Sequence, residues 1–140
     1  MSKLYFAYGS NLNVEQMAQR CPNAEPLGAA YLPSLRLVFR GFADIEEGEA
    51  EDLLPVGIWS ITEECEKALD AYEGVSSGHY RKIWSHGMLT YTMNRSGYLP
   101  PSPYYFGVIK EGYQDFGLDL NHLEEALGWS YFDQQVRDEV

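Results

Sequence analysis

The chain has 140 residues, 45% of them hydrophobic and 14% aromatic, with a formal net charge of −11. That length accommodates one core of ordinary size, and the acidic balance excludes the basic face that nucleic-acid phosphates require and disfavours anionic membrane surfaces. No stretch approaches the ~20 apolar residues of a membrane span, and MSKLYFAYGS is too aromatic, with too short an apolar run, for a signal peptide, so a cytoplasmic location is expected.

Residues 3–8 read as a strand that stops at Gly9. Asn11 or Asn13 then caps a short helix, VEQMAQR, which ends before Pro22. In SLRLVFRG (34–41), Leu35, Leu37 and Phe39 alternate with Arg36, Val38 and Arg40, the pattern of a half-buried strand. The acidic EEGEAED (46–52) reads as a solvated loop rather than a metal site. Residues 54–61 form a further strand with Pro55 near its start. Ser60 and Glu63 fit a capping box for the next helix, whose buried face takes Ile61, Cys65, Ala68, Leu69 and Tyr72, and Gly74 stops it. Residues 79–85 and 88–93 are strands joined as a hairpin at His86-Gly87. The prolines of LPPSPYY hold that segment extended, and helices over about 104–116 and 121–136 close the chain. Cys21 and Cys65 are expected as two reduced structural thiols. With no repeat and no dividing linker, residues 1–140 are expected to form one α+β domain, a small, mainly antiparallel β-barrel or strongly curved sheet.

Two places suggest chemistry. A strand that stops in Gly-Ser-Asn and turns into a helix presents unpaired N–H groups beside the positive end of the helix dipole. Gly9 can take backbone angles closed to other residues and admits a ligand to the main chain, while Ser10 and Asn11 add hydrogen-bonding side chains. Such a loop holds a carboxylate or a polarised carbonyl oxygen; equally, the tripeptide makes an ordinary turn capped by Asn11. No GxxxxGK or GxGxxG accompanies it. The second place is Glu73, which directly follows Tyr72 at a helix C-terminus, where the dipole disfavours a negative charge. Burial there would raise its pKa further and make it a proton acceptor and donor near neutrality. The bland alternative is a solvated glutamate, or a partner for Arg81 or Lys82. His79, His86 and His122 lack ligand spacing, and no GxSxG elbow surrounds Ser10, although a Ser10–histidine triad requires only closeness in space. Tyr5, Tyr8, Tyr80, Tyr91 and Tyr105 either line a pocket with hydroxyls aimed at a polar ligand or belong to core and rim.

Three stretches in order, YFAYGSNL (5–12), LDAYEGVSSGHYRK (69–82) and PPSPYY (100–105), resemble the γ-glutamylcyclotransferases, as do GFADI (41–45), PVGIWSI (55–61) and GLDL (117–120). The resemblance implies a small mixed β-barrel flanked by helices. It also implies a cofactor-free reaction, in which the α-amino group of a γ-glutamyl unit attacks that unit's own γ-carbonyl, closing 5-oxoproline and releasing an amine or amino acid. By the same resemblance Glu73 is the acid/base, and Tyr5, Phe6, Ala7, Tyr8, Gly9 and Ser10 form the substrate loop. Tyr105 is the substrate-binding tyrosine, and Asn11, Gly78 and Tyr80 match surrounding motif positions. The glutathione-acting branch carries Leu where this chain has Asn11, which argues against glutathione as substrate, and the acidic 46–52 stretch replaces a loop that varies in the family. The expected partner is a small γ-glutamyl molecule, with the chain a monomer or homodimer. The competing expectation is a non-catalytic module that binds a carboxylated metabolite on the same fold.

Overall fold

A run of consecutive apolar side chains marks a strand covered on both faces. Tyr5, Phe6 and Ala7 are such a run, all buried, and their strand β1 (Lys3–Ala7) lies in the middle of a sheet. On one side it pairs antiparallel with β5 (Leu53–Ile61), Lys3 opposite Ile61 and Ala7 opposite Gly57. On the other it runs parallel to β7 (Met88–Met93), Tyr5 opposite Leu89. The computed structural model describes residues 2–139, with side chains described through Tyr131.

Outside β5 lies β2 (Glu25–Pro33) and outside β7 lies β6 (Tyr80–Ser85), so the sheet order is β2–β5–β1–β7–β6. The α+β class and the mixed, mainly antiparallel pairing are as expected. The barrel is not: β2 and β6 remain separate edges, because β3 (Leu35–Phe39) and β4 (Ala43–Glu47) pair only with each other. The β6–β7 hairpin turns at His86-Gly87 as expected, both residues with positive φ (55° and 76°), the geometry that matches the twist of paired strands.

The described residues form four α-helices beside the strands: α1 (Val14–Arg20), α2 (Glu63–Tyr72), α3 (Pro103–Phe116) and α4 (Leu120–Glu139). Asn13, not Asn11, caps α1, its Oδ1 accepting from Gln16 N at 3.1 Å. Asn11 sits instead in a one-turn 3-10 segment, Ser10–Leu12, between β1 and α1. Helix α2 starts two residues later than the capping box implied. Thr62 is its cap, Oγ1 accepting from Cys65 N, while Ser60 and the fully buried Ile61 belong to β5. Lys82 of β6 pins α2 to the sheet through Glu66 at 2.9 Å and Asp70 at 3.0 Å. Ser102 caps α3, with Pro103 in its first turn, where a missing N–H is harmless.

Three further corrections follow from packing. Val38, placed on a wet face by alternation, is buried, because β3 is covered on both sides. Glu46 and Glu47 end β4 rather than opening a solvated loop, and Glu46 pairs with Arg36 at 2.6 Å and accepts from Tyr98 Oη at 2.9 Å. Cys21 and Cys65 are joined as a disulfide, not kept as separate thiols, because the end of α1 meets the first turn of α2 with Cα atoms 5.1 Å apart. That bridge closes a loop of sequence separation 44, so its reduction is expected to cost about 2–4 kcal/mol. Urea midpoints with and without reductant check this, and coincident transitions would contradict it.

Candidate active site

Where β1 ends, the chain leaves the sheet plane and a cavity of about 370 Å³ opens, within the range of small-ligand sites. Tyr5, Tyr8, Gly9, Ser10 and Asn11 form one wall, and Tyr72, Glu73 and Gly74, at the end of α2, form the wall facing it. The turn into β6 contributes Gly78, His79 and Tyr80, β7 contributes Thr90, Tyr91 and Met93, and α3 contributes Tyr105. Phe42, Ala43, Asn94 and Arg95 complete the lining.

Each piece is placed by local chemistry. The 3-10 turn uses its later amides internally, Leu12 N donating to Gly9 O and Asn13 N to Ser10 O, both at 3.0 Å. The first amides of such a turn have no carbonyl within it to meet, and they belong to residues that line the cavity. Helix α3 buttresses this turn, for Val108 O accepts from Asn13 Nδ2 at 3.1 Å and Asp115 Oδ2 from Val14 N at 3.0 Å. Gly9 has φ −121°, so its role is not left-handed freedom. A side chain there would press within 3.1 Å of Ala43 Cβ and 3.3 Å of Tyr105 Oη, so its smallness is what the site uses. On the opposite wall, Leu69 is fully buried one turn below Glu73, whose own N–H closes α2 onto Leu69 O at 2.8 Å. Gly74 then takes φ +66°, the left-handed stop that turns the chain away.

The hairpin β3–β4 is fastened to β7 by buried Asp44. Its carboxylate accepts from Arg40 Nε at 2.7 Å, Thr92 Oγ1 at 2.8 Å and Met93 N at 2.9 Å. This brings Ala43 to the cavity, where its N–H donates to Tyr105 Oη (3.1 Å) and its carbonyl accepts from Tyr80 Oη (2.9 Å).

Glu73 is partly buried and faces the cavity, with Asn11 Nδ2 3.4 Å from its Oε1. Burial is the main influence on it and pushes the carboxyl up to about 7, against a smaller downward pull from the Arg20 guanidinium. Lys82 is engaged by Glu66 and Asp70, and Arg81 by Met93 O and Asn94 Oδ1, so neither of the cations considered from sequence is Glu73's partner. Burial also holds the phenols of Tyr5, Tyr8, Tyr80, Tyr91 and Tyr105 well above the ordinary tyrosine range, so all five stay protonated. Their hydrogens are committed differently. Tyr8 donates to Tyr91 O (2.6 Å), Tyr80 to Ala43 O, and Tyr91 to Asp70 Oδ1 (2.7 Å). Tyr5 and Tyr105 instead accept, from Asn11 Nδ2 (2.9 Å) and Ala43 N, which leaves each O–H to donate to a ligand.

Among the residues expected at a site, the cavity brings together Glu73, Tyr5, Tyr8, Gly9, Ser10, Asn11, Gly78, Tyr80 and Tyr105. Phe6 and Ala7 are not in its lining. Strand alternation sends Phe6 into the core on the face opposite Tyr5, and Ala7 has nothing beyond Cβ to reach with. Ser10 Oγ meets Tyr72 Oη at 3.2 Å rather than an imidazole, which gives no support to a serine triad. Sequence reasoning passed over Arg20, Phe42, Ala43 and Arg95. For three of these no local signal exists, but Arg20, in the last turn of a capped helix beside the loop, could have been flagged.

No family profile matches the chain. A bovine protein named gamma-glutamylcyclotransferase is 33% identical over 145 residues, covering 89% of this chain and 77% of that protein. A human protein of the same name is 32% identical over 162 residues, covering 99% and 86%. A solved structure named gamma-glutamyl cyclotransferase superposes with a TM-score of 0.76 at 30% identity, covering 90% of this chain and 86% of the other.

Proposed function

The chain belongs to the γ-glutamylcyclotransferase family, and from that premise we propose that it cyclises a γ-glutamyl group to 5-oxoproline, releasing an amine or amino acid, with Glu73 as acid/base. The observation that carries this reading is convergence on one cavity. A carboxyl whose pKa burial brings to about 7 lines, together with a loop of amide and phenol donors, one cavity of small-ligand size.

The reacting nitrogen and carbonyl belong to one substrate, so the protein supplies positioning and proton transfer. The glutamyl chain is folded until its nitrogen lies ~3–3.5 Å from the γ-carbon. Glu73 as carboxylate takes a proton from the α-ammonium, and the freed amine forms the new C–N bond as the carbonyl electrons move to oxygen. The protonated Glu73 passes its proton to the leaving nitrogen and accepts the second one from the ring nitrogen. The old C–N bond then breaks, and the departing amine takes up that proton. Ammonium enters and ammonium leaves, so one carboxyl is enough. The O–H groups of Tyr5 and Tyr105, with the first amides of the Gly9 turn, hold the oxyanion or the glutamyl carboxylate.

Incubation with a panel of γ-glutamyl amino acids and γ-glutamyl amines is expected to yield 5-oxoproline by mass spectrometry. Thermal stabilisation by those compounds with no product from any of them would replace this reading with a binding module. A pH profile tests the acid/base role separately. Because the free enzyme must hold Glu73 as carboxylate, log kcat/KM is expected to climb with unit slope and level off near pH 7. A flat profile between pH 5 and 8 removes Glu73 as the base.

A further inference from the structure

Arg20 does not line the cavity, yet of its three contacts two, to Asn11 and Tyr72, bind it to residues that do. Its Nη1 donates to Asn11 Oδ1 at 2.7 Å, its Nη2 donates to Gln16 Oε1 at 2.6 Å, and its guanidinium lies 3.7 Å from the centre of the Tyr72 ring. The next residue, Cys21, is bridged to Cys65 of α2, so the end of α1 is held against the helix that carries Tyr72 and leads into Glu73.

A carboxamide has an accepting end and a donating end, and a guanidinium can only donate. Arg20 therefore satisfies Asn11 in one orientation alone, with Oδ1 toward the arginine. Nδ2 must then point the other way, where it meets Tyr5 Oη at 2.9 Å and Glu73 Oε1 at 3.4 Å. The reverse orientation would set NH2 against guanidinium, and amide oxygen against the Glu73 carboxylate. Among the described residues, Arg20 is the one donor to Asn11 Oδ1, so its loss removes this distinction.

We propose that Arg20 is a positioning residue for the cyclisation, locking Asn11 in the orientation that donates to the Glu73 carboxylate and to the Tyr5 hydroxyl. This rests on the acid/base reading of Glu73. The other titratable or charged groups that line the cavity with that carboxyl are Tyr5, Tyr8, Tyr72, Tyr80, Tyr91, Tyr105, His79 and Arg95. The buried phenols of Tyr5, Tyr8, Tyr80, Tyr91 and Tyr105 stay neutral throughout the working range. Arg20, whose positive charge pulls the Glu73 carboxyl down, is the residue whose loss moves it.

The test compares Arg20→Met, which keeps the apolar stem, with Arg20→Lys, which keeps a charge and one donating nitrogen. Two readouts are used: the pH profile of kcat/KM, and the titration of Glu73 followed by carbon-13 NMR of glutamate-labelled protein, assigned with Glu73→Gln. In Arg20→Met the Glu73 midpoint and the acidic limb are expected to move up by on the order of one pH unit, with kcat roughly 10- to 100-fold lower. Arg20→Lys recovers most of both. In an Asn11→Ala background Arg20→Met is expected to lower kcat by less than threefold, since the amide it orients is gone. Wild-type titration and kcat in a folded Arg20→Met overturn the proposal, as does a full, additive loss in the Asn11→Ala background. Should Arg20→Met fail to fold, the same measurements on Arg20→Lys and Asn11→Ala decide. A Glu73 midpoint moved in Asn11→Ala as well as in Arg20→Met, in protein that turns over no γ-glutamyl compound, would sustain the orientation argument and sink the catalytic reading beneath it.

Discussion

Replacing Glu73 by Gln is expected to lower turnover by about 10²–10⁴-fold, the usual yield of a positioned proton-transfer group, while γ-glutamyl ligands still stabilise the protein against heat. The same substitution carries a second signature. The folded carboxyl titrates near 7 rather than at its ordinary 4.5, so between those values the native state binds more protons than the unfolded chain. Its contribution to stability is therefore present below pH 4.5 and lost as pH rises through about 7. Above that, wild-type protein bears the cost of a desolvated charge that glutamine lacks. Glu73→Gln should thus be the more stable protein at pH 8, by about 1–3 kcal/mol, and the advantage should vanish near pH 5. Urea unfolding at the two pH values measures it. Near wild-type turnover ends the acid/base assignment, and a variant less stable at pH 8 ends the buried-carboxyl argument.

Tyr5→Phe should have the next largest effect. Of the five buried phenols around the cavity, three donate their hydrogens to protein acceptors, whereas Tyr5 accepts from Asn11 and keeps its hydrogen for a ligand. If that hydrogen meets charge developing on the γ-carbonyl oxygen, its removal costs about 10²-fold in kcat, on the scale of one oxyanion donor. The structural loss is one buried hydrogen bond, about 1 kcal/mol, too little to empty the folded state. A kcat within twofold of wild type would show that Tyr5 is only part of the wall. Tyr8→Phe serves as the comparison, because its hydroxyl is committed to Tyr91 O and its loss should be read in stability rather than in kcat.

Much of the scaffold was legible because local chemistry decides it. The apolar run at residues 5–7 demanded a central strand, the residue pair at the 86–87 turn demanded a tight hairpin, and the prolines before Ser102 demanded an extended approach to a capped helix. Glu73 stood out for a local reason too, since a carboxylate that follows an aromatic at a helix C-terminus is in an unfavourable place. β2 escaped notice because an edge strand needs no alternation and tolerates Gly28 at a bulge and prolines near both ends. β4 escaped because its acids resemble a solvated loop until Arg36 and Arg40 arrive across the hairpin to neutralise them.

The amino-acid sequence by itself determined the α+β class, the strand-to-turn element at Gly9 and the carboxylate that faces it, since each depends on neighbours a few residues away. Tertiary structure alone decided that the sheet stays open, that Cys21 meets Cys65, that Asn11 serves the cavity rather than a helix cap, and that Arg20 orients it. Those outcomes depend on groups far apart in the chain, and which of several available partners a polar side chain takes is settled only when packing brings one of them within hydrogen-bond reach.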